Sequence, residues 1–123
     1  MGFARILIAN RGEIAIRIAR AVRDLGIESV AVYSDDDSES LHVMSANISY
    51  RLEGAGVTAY LNGQAIVDAA RESGCDAIHP GYGFLSENAE FSRLCSENGI
   101  RSLVQMWTIW SYLVIRAKHA KQL

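Results

Sequence analysis

Residues 5–25 of this 123-residue chain decide its fold, and they read RILIANRGEIAIRIARAVRDL. The apolar run at 5–9 shows no alternation, which is typical of a strand buried on both faces of a parallel sheet. Residues 10–12 form a turn. A helix is predicted over 13–25, because its apolar residues recur at helical spacing and a glycine follows. The stretch therefore predicts a buried strand, a short turn and an amphipathic helix.

The same alternation of strand and helix continues along the chain. Its order, β-α-β-α-β-α-β-α-β, predicts an α/β fold with a parallel sheet and helices on both faces. In such sheets ligands bind at the carboxyl ends of the strands. The further predicted strands lie at 28–33, 48–50, 77–78 and from 100 onward, and the further helices at 40–46, 59–72 and about 86–98, the last with Ser86 as its N-cap.

Composition excludes several classes of protein. The chain is too short for two ordinary domains, and its 12 basic and 14 acidic residues give no basic excess for nucleic acid. Its longest apolar stretch, 103–115, is interrupted by polar residues and falls short of the roughly 20 residues of a membrane span. Since the first residues lead straight into a strand, we expect no secretory signal and a cytoplasmic location.

Several catalytic signatures are absent from the sequence. It has neither the G-x-G-x-x-G fingerprint nor a P-loop, and its first 117 residues hold no lysine. Direct NAD or P-loop chemistry is therefore not expected. Cys75 and Cys95 stand apart without metal-ligand spacing, so we expect two reduced, half-buried thiols and no metal site. No nucleophile–base pair is recognisable, and no residue is assigned as catalytic.

The loop HPGYGF at 79–84 follows a predicted strand. Its two glycines allow unusual backbone angles and close approach of a ligand, and Tyr82 offers a flat apolar surface with a polar tip. A ligand loop and a tight turn are both consistent with this pattern.

The polar face of the first helix carries a charged stripe. Its i, i+4 pairs are Glu13–Arg17 and Arg20–Asp24. A solvated helix face explains them, and so does a subunit contact built on arginine pairing.

Three stretches together resemble biotin carboxylases. They are ILIANRGEIAIR at 6–17, LGIESVAV at 25–32 and HPGYGFLSEN at 79–88, and the resemblance covers residues 4 to about 101. Biotin carboxylases are ATP-grasp ligases that use MgATP and bicarbonate to carboxylate biotin carried on a protein lysine, in acyl-CoA, pyruvate and urea carboxylases. The resemblance implies that residues 1–101 form their N-terminal, Rossmann-like domain, which precedes the ATP-grasp domain.

The resemblance also implies roles for particular residues. The loop that borders the biotin pocket would be His79, Gly81, Tyr82, Gly83 and Phe84, and the dimer surface would be Arg17, Arg20 and Asp24. Most ligands of nucleotide, magnesium and bicarbonate lie in later domains of the family, so we expect this chain alone to bind none of them and to be inactive.

The partners implied are the ATP-grasp remainder, a biotin carboxyl carrier, a carboxyltransferase and a second copy of the full-length enzyme. An alternative is a non-catalytic module that binds carboxylase subunits through its helix stripe or its tail. Another ATP-grasp ligase, such as a carbamoyl-phosphate synthase subunit, shares the fold, but the loop at 79–88 fits biotin carboxylases better.

Residues 102–123 depart from the family. They contain no acidic residue, both tryptophans and both lysines. The family continues Phe-Val-Gly-Pro after residue 101, and suitable codons for those residues read one base late give Ser-Leu-Val-Gln, the residues at 102–105. Likewise, Phe-Gly-Asp-Lys gives Leu-Val-Ile-Arg, the residues at 113–116. An out-of-frame segment explains the tail. A genuine tail that docks on a partner or a membrane surface is the competing interpretation.

The two interpretations of the tail predict different nucleotide sequences. From codon 98 to beyond codon 123, we expect Phe-Val-Gly-Pro and then Gly-Asp-Lys in a neighbouring frame, followed by an ATP-grasp reading frame. Sequencing the encoding nucleic acid measures this directly. If no frame contains Phe-Val-Gly-Pro at that place, the out-of-frame interpretation is wrong.

Overall fold

A computed structural model describes residues 3–81, 85–86 and 88–103 of the chain. Within these residues a parallel sheet alternates with helices, and a 3-10 turn at Asp35–Asp37 precedes α2. The strands are β1 Arg5–Ile8, β2 Glu28–Tyr33, β3 Ile48–Arg51, β4 Ala77–His79 and β5 Arg101–Ser102. The helices are α1 Gly12–Asp24, α2 Leu41–Ser45, α3 Val57–Tyr60, α4 Gly63–Glu72 and α5 Ala89–Glu97.

All strand pairs of the sheet are parallel, and the strand order is β3-β2-β1-β4-β5. The central strand β1 pairs with β2 on one side and β4 on the other, so that Leu7 lies opposite both Val30 and Ile78. The predicted α/β fold and its parallel sheet are confirmed. All the strands therefore end at one edge of the sheet, where β1 lies between β2 and β4.

Alternate residues of β1 enter two separate hydrophobic cores. Leu7 lies in one core with α4 and α5, whereas Ile6 and Ile8 pack against α1 on the opposite face. All three side chains are at most 1% exposed. Full burial of such a side chain contributes about 1.5–3 kcal/mol. Burial on both faces is the physical reason why this strand reads as an unbroken apolar run.

Two helix boundaries differ from the prediction. The helix predicted at 59–72 is divided into α3 and α4, because the side chain of Asn62 accepts a hydrogen bond from the Ala65 N–H at 3.2 Å and caps a new helix. The cap of α5 is Asn88, whose Oδ1 accepts from the Phe91 N–H at 2.9 Å, and not Ser86. Since α5 begins at Ala89, Ser86 lies too early in the chain to serve as the N-cap.

Both cysteines are buried free thiols.

In the part of the chain that the structure describes, no helix is both long enough and apolar enough to cross a membrane. The tail prediction concerns residues 102–123, of which 104–123 lie outside the described residues.

The cap of α5 provides a test of these boundaries. Asn88→Ala removes the acceptor of the Phe91 N–H, and we expect the free energy of unfolding to fall by about 1 kcal/mol. Asn88→Asp keeps an acceptor oxygen and should retain most of that stability. Denaturant unfolding of the 123-residue chain measures both variants. Equal stability of Asn88→Ala and wild type would contradict the capping role.

Candidate functional site

The carboxyl edge of β1 and β4 carries the start of the loop singled out in the sequence. His79 is the last residue of β4 and is fully buried. Pro80 and Gly81 follow it and are also buried. Tyr82, Gly83 and Phe84, the other residues of that prediction, lie outside the described residues. The structure thus places the entrance of the loop beside the carboxyl end of the central strand.

Hydrogen bonds from β1 hold this entrance in place. The Ala9 N–H donates to the carbonyl of His79 at 3.0 Å, and the Asn10 side chain donates from Nδ2 to the carbonyl of Pro80 at 2.7 Å. Asn10 is only 1% exposed. Sequence reasoning placed this residue in a turn and missed its contact with Pro80. A polar residue directly after a buried strand was the available signal.

Gly81 is required by the packing of the loop against α1. Its φ of 68° lies in the left-handed region that favours glycine. A Cβ at this position would lie 2.8 Å from Ile14 Cγ2 and 2.9 Å from Asn10 Nδ2. A glycine is therefore needed here because the β1–α1 segment of the protein itself packs closely against this position. The left-handed φ and these close contacts explain why a glycine fits at position 81.

His79 is a neutral, structural histidine in this fold. Burial lowers its pKa to about 4. Its Nδ1 accepts a hydrogen bond from the Gly81 N–H at 3.1 Å, which places the proton of the neutral ring on Nε2. An imidazole in this state supports the backbone turn at Pro80–Gly81 and stays uncharged near neutral pH.

A second polar cluster at this edge joins the loop after β2 to the β1–α1 turn. The carboxylate of Asp37 accepts from Arg11 Nη2 at 2.6 Å and from the Tyr60 hydroxyl at 2.6 Å. That hydroxyl in turn accepts from the Ser34 N–H at 3.1 Å. The partners of the buried Asp37 come from distant segments, so the cluster carried no local signal.

The electrostatics of this cluster favour a fixed ion pair. Burial raises the pKa of Asp37, but hydrogen bonds from Tyr60 and Arg11 outweigh it and hold that pKa below its usual value. Burial and the bond to Asp37 raise the pKa of Tyr60 to about 12. Asp37 is therefore ionised and Tyr60 protonated at neutral pH. The cluster fastens three connecting segments of the sheet's carboxyl edge together.

The charged stripe of α1 lies on the side away from the sheet. Arg17 and Arg20 are exposed and Asp24 is half-buried. The predicted Glu13–Arg17 pair is present, but its atoms are 3.9 Å apart and both side chains are about three-quarters exposed, at 77% and 74%. Such a pair contributes little stability. Arg17 and Arg20 are therefore accessible for contact with another molecule.

Two exposed apolar side chains lie on α2, which packs against α1. Leu41 and Met44 of α2 are 67% and 69% exposed. A hydrogen bond of 3.0 Å from Arg23 to the carbonyl of Ser45 joins α2 to α1. The outer side of α1 and α2 therefore combines arginines with apolar surface, which is a composition found at protein interfaces.

Metal ligation has no candidate within the described ranges. There, no group of three or more His, Cys, Asp or Glu side chains is placed to hold a metal ion.

Comparisons of the sequence with known proteins all lead to one family. A sequence model of the family "Biotin carboxylase, N-terminal domain" matches residues 2–103. The chain is 59% identical to the methylcrotonoyl-CoA carboxylase alpha subunit, mitochondrial, of Glycine max, over 78% of this chain and 13% of that protein. It is 56% identical to biotin carboxylase 1 of Bacillus subtilis, over 76% of this chain and 21% of that protein.

A solved structure shows the same fold. The biotin carboxylase domain dimer of Hydrogenobacter thermophilus 2-oxoglutarate carboxylase, in complex with MgADP, ADP and bicarbonate, superposes with a TM-score of 0.81 at 48% identity. The match covers 84% of this chain and 23% of that one. The chain thus spans less than a quarter of the length of each of these three proteins.

The buried His79 predicts a particular pH dependence of stability. The unfolded chain takes up a proton on this imidazole near pH 6.5, whereas the folded chain does so only near pH 4. The contribution of His79 to the free energy of unfolding should therefore be fully present above pH 6.5. It should fall by about 3 kcal/mol as the pH drops from 6.5 to 4. Denaturant unfolding at a series of pH values measures this.

His79→Asn is the matched control for that experiment. Its amide oxygen can still accept from the Gly81 N–H, but the side chain does not titrate. The difference in stability between wild type and variant should shrink as the pH falls from 6.5 to 4. A constant difference would show that His79 is not buried in its neutral form.

Proposed function

Because the chain belongs to the family of biotin carboxylase N-terminal domains, we propose that it is the first part of an ATP- and bicarbonate-dependent biotin carboxylase. The parent enzyme would carboxylate carrier-bound biotin in an acyl-CoA, pyruvate or urea carboxylase. The observation that carries this proposal is the family match over residues 2–103, and the loop entrance held by hydrogen bonds at the sheet's carboxyl edge is consistent with it. Its partners would be the biotin carboxyl carrier and the carboxyltransferase.

The chemistry of ATP is proposed to belong to the ATP-grasp remainder of the enzyme. The chain spans only 21% of the Bacillus subtilis biotin carboxylase it matches. Its first 117 residues offer no lysine for a phosphate, and its described residues offer no cluster for magnesium. The chain by itself is therefore inactive in this proposal. A cytoplasmic location stays a prediction, since the Glycine max relative is mitochondrial.

The loop that follows β4 is proposed to border the biotin pocket. Its residues are His79, Gly81, Tyr82, Gly83 and Phe84. The support is positional, because ligands of parallel α/β sheets bind beyond the carboxyl ends of the strands and this loop begins there. In this arrangement His79 and Gly81 shape the backbone of the loop, and Tyr82 supplies the surface that meets biotin.

The stripe Arg17, Arg20 and Asp24 is proposed to form part of the dimer surface of the parent enzyme. Its support is the exposure of both arginines and the dimer described for the Hydrogenobacter thermophilus domain. Guanidinium groups pair with carboxylates in a fixed fork geometry, which suits them to subunit contacts.

A non-catalytic module that binds carboxylase subunits is the second candidate function. The exposed Leu41 and Met44 of α2, which packs against α1, favour it, because large apolar side chains on the same side of the molecule as exposed arginines are typical of a contact surface.

Residues 102–123 are proposed to be an out-of-frame segment. The family match ends at residue 103. Ser102, where the family has phenylalanine, holds a buried hydroxyl for which no hydrogen-bond partner exists in the described structure. A buried hydroxyl without a partner is unfavourable, as expected where a polar residue replaces an apolar one.

A chimaera tests the proposed activity. Residues 4–101 replace the matching segment of Bacillus subtilis biotin carboxylase 1, which is 56% identical to this chain. We expect ATP turnover by the chimaera to depend on both bicarbonate and biotin. The 123-residue chain alone should show none under the same conditions. A well-folded chimaera without this activity would contradict the proposal, and so would ATP turnover by the isolated chain.

Within that chimaera, Tyr82→Ala distinguishes a ligand loop from a tight turn. Loss of the aromatic surface should raise the KM for biotin about tenfold, which corresponds to roughly 1.4 kcal/mol of binding, and leave the KM for ATP unchanged. Tyr33→Ala, in β2, is the control for loss of a tyrosine elsewhere. A lowered Tm with an unchanged KM for biotin would favour the tight turn.

The interaction surface is tested by a charge reversal. We expect Arg20→Glu to weaken capture of a complete biotin carboxylase by the immobilised chain at least tenfold. The substitution removes a positive charge of the stripe and puts a negative charge four residues before the negatively charged Asp24. Arg93→Glu, at an exposed position of α5, is the control. Equal capture by both variants would exclude the α1 stripe as the contact.

A further inference from the structure

We propose that Asn10 is a positioning residue for the loop that follows β4, and that it acts on biotin use through Pro80 and Gly81. The inference deepens the proposed function and rests on it. Asn10 belongs to the β1–α1 turn, 70 residues away from Pro80 in the sequence. Neither the family match nor the sequence pattern assigns it a role.

Both ends of the Asn10 amide are used. Its Nδ2 donates to the carbonyl of Pro80 at 2.7 Å, and its Oδ1 accepts from the Arg11 N–H at 2.8 Å. With the side chain 99% removed from solvent, each bond replaces one that water would otherwise supply. The orientation of the amide is therefore determined from two sides.

The Asn10 side chain extends the strand ladder by one residue. The backbone bond from Ala9 to the carbonyl of His79 connects β1 with the end of β4. Pro80 has no N–H and can be held through its carbonyl only. The Nδ2 of Asn10 reaches that carbonyl from the neighbouring strand, so the chain leaves β4 in a defined direction.

The next residue is held by packing against the same side chain. Gly81 lies so close to Asn10 Nδ2 and Ile14 Cγ2 that a Cβ would meet them at 2.9 and 2.8 Å. Pro80 is thus fixed by a hydrogen bond and Gly81 by contact. An amide suits this position, because one planar group donates to the Pro80 carbonyl and accepts from the Arg11 N–H.

Two variants separate these functions. Asn10→Ala removes the donor and the acceptor. Asn10→Asp keeps an acceptor for the Arg11 N–H but loses the donor to Pro80. In the chimaera described above, we expect both variants to raise the KM for biotin about tenfold, which is the effect of one lost buried hydrogen bond, and to leave the KM for ATP within about twofold.

A control of comparable stability accompanies them. Val30→Ala makes a cavity in the core toward the amino half of β2, away from the carboxyl edge. It should lower the Tm as much as Asn10→Ala does, without a change in the KM for biotin. An equal rise of that KM in Val30→Ala, an equal rise of both KM values in Asn10→Ala, or an unchanged KM for biotin would overturn the proposal.

Hydrogen exchange in the 123-residue chain gives a second readout that needs no activity. The Gly81 N–H bonds to His79 Nδ1, and its exchange should become at least tenfold faster in Asn10→Ala but not in Val30→Ala. Unchanged exchange would overturn the positioning role. An inactive chimaera with accelerated Gly81 exchange in Asn10→Ala would refute the proposed function but leave Asn10 as the anchor of Pro80–Gly81.

Discussion

The structure depends on the burial of β1 from every side. Its two edges are paired with β2 and β4, and its two faces lie in separate hydrophobic cores. Ile6, Leu7 and Ile8 of this strand are at most 1% exposed, so their backbone polar groups must bond within the protein, and the parallel pairing with β2 and β4 supplies those bonds. The turn after the strand is consequently set between the ends of its two neighbours, and α1 is directed onto one face by Ile18 and Val22.

The turn after β1 serves both neighbouring loops. Asn10 bonds to the segment after β4, whereas the next residue, Arg11, bonds to Asp37 in the segment after β2. Tyr60 joins the second group from α3. The buried Asn10 and Asp37 need partners in place, so the two consecutive residues Asn10 and Arg11 connect the turn to the segments after β4 and β2. Helix α1 begins directly after these two residues, and its Arg17 and Arg20 are exposed on the outer side.

Local signals predicted most of the fold. The unbroken apolar run of β1, the helical spacing of α1 and the glycine after it were sufficient for these elements, because burial on two faces or on one stripe leaves a direct pattern in the sequence. Boundaries set by one side-chain hydrogen bond were predicted less well. Asn62 divides a predicted helix and Asn88 replaces Ser86 as a cap, since several polar residues near a helix start can serve as its cap.

The sequence by itself determined the α/β class, the element order, the resemblance to biotin carboxylases and the loop at 79–84 as the segment of interest. It also led to the hypothesis that residues 102–123 are out of frame. The tertiary structure alone decided which polar groups meet: Asn10 with Pro80, Asp37 with Arg11 and Tyr60, and Gly81 with Ile14. These contacts join segments that are far apart in the chain. Hydrophobic periodicity reports which side of an element is buried, but it carries no information about which distant donor will face which acceptor once the strands are aligned.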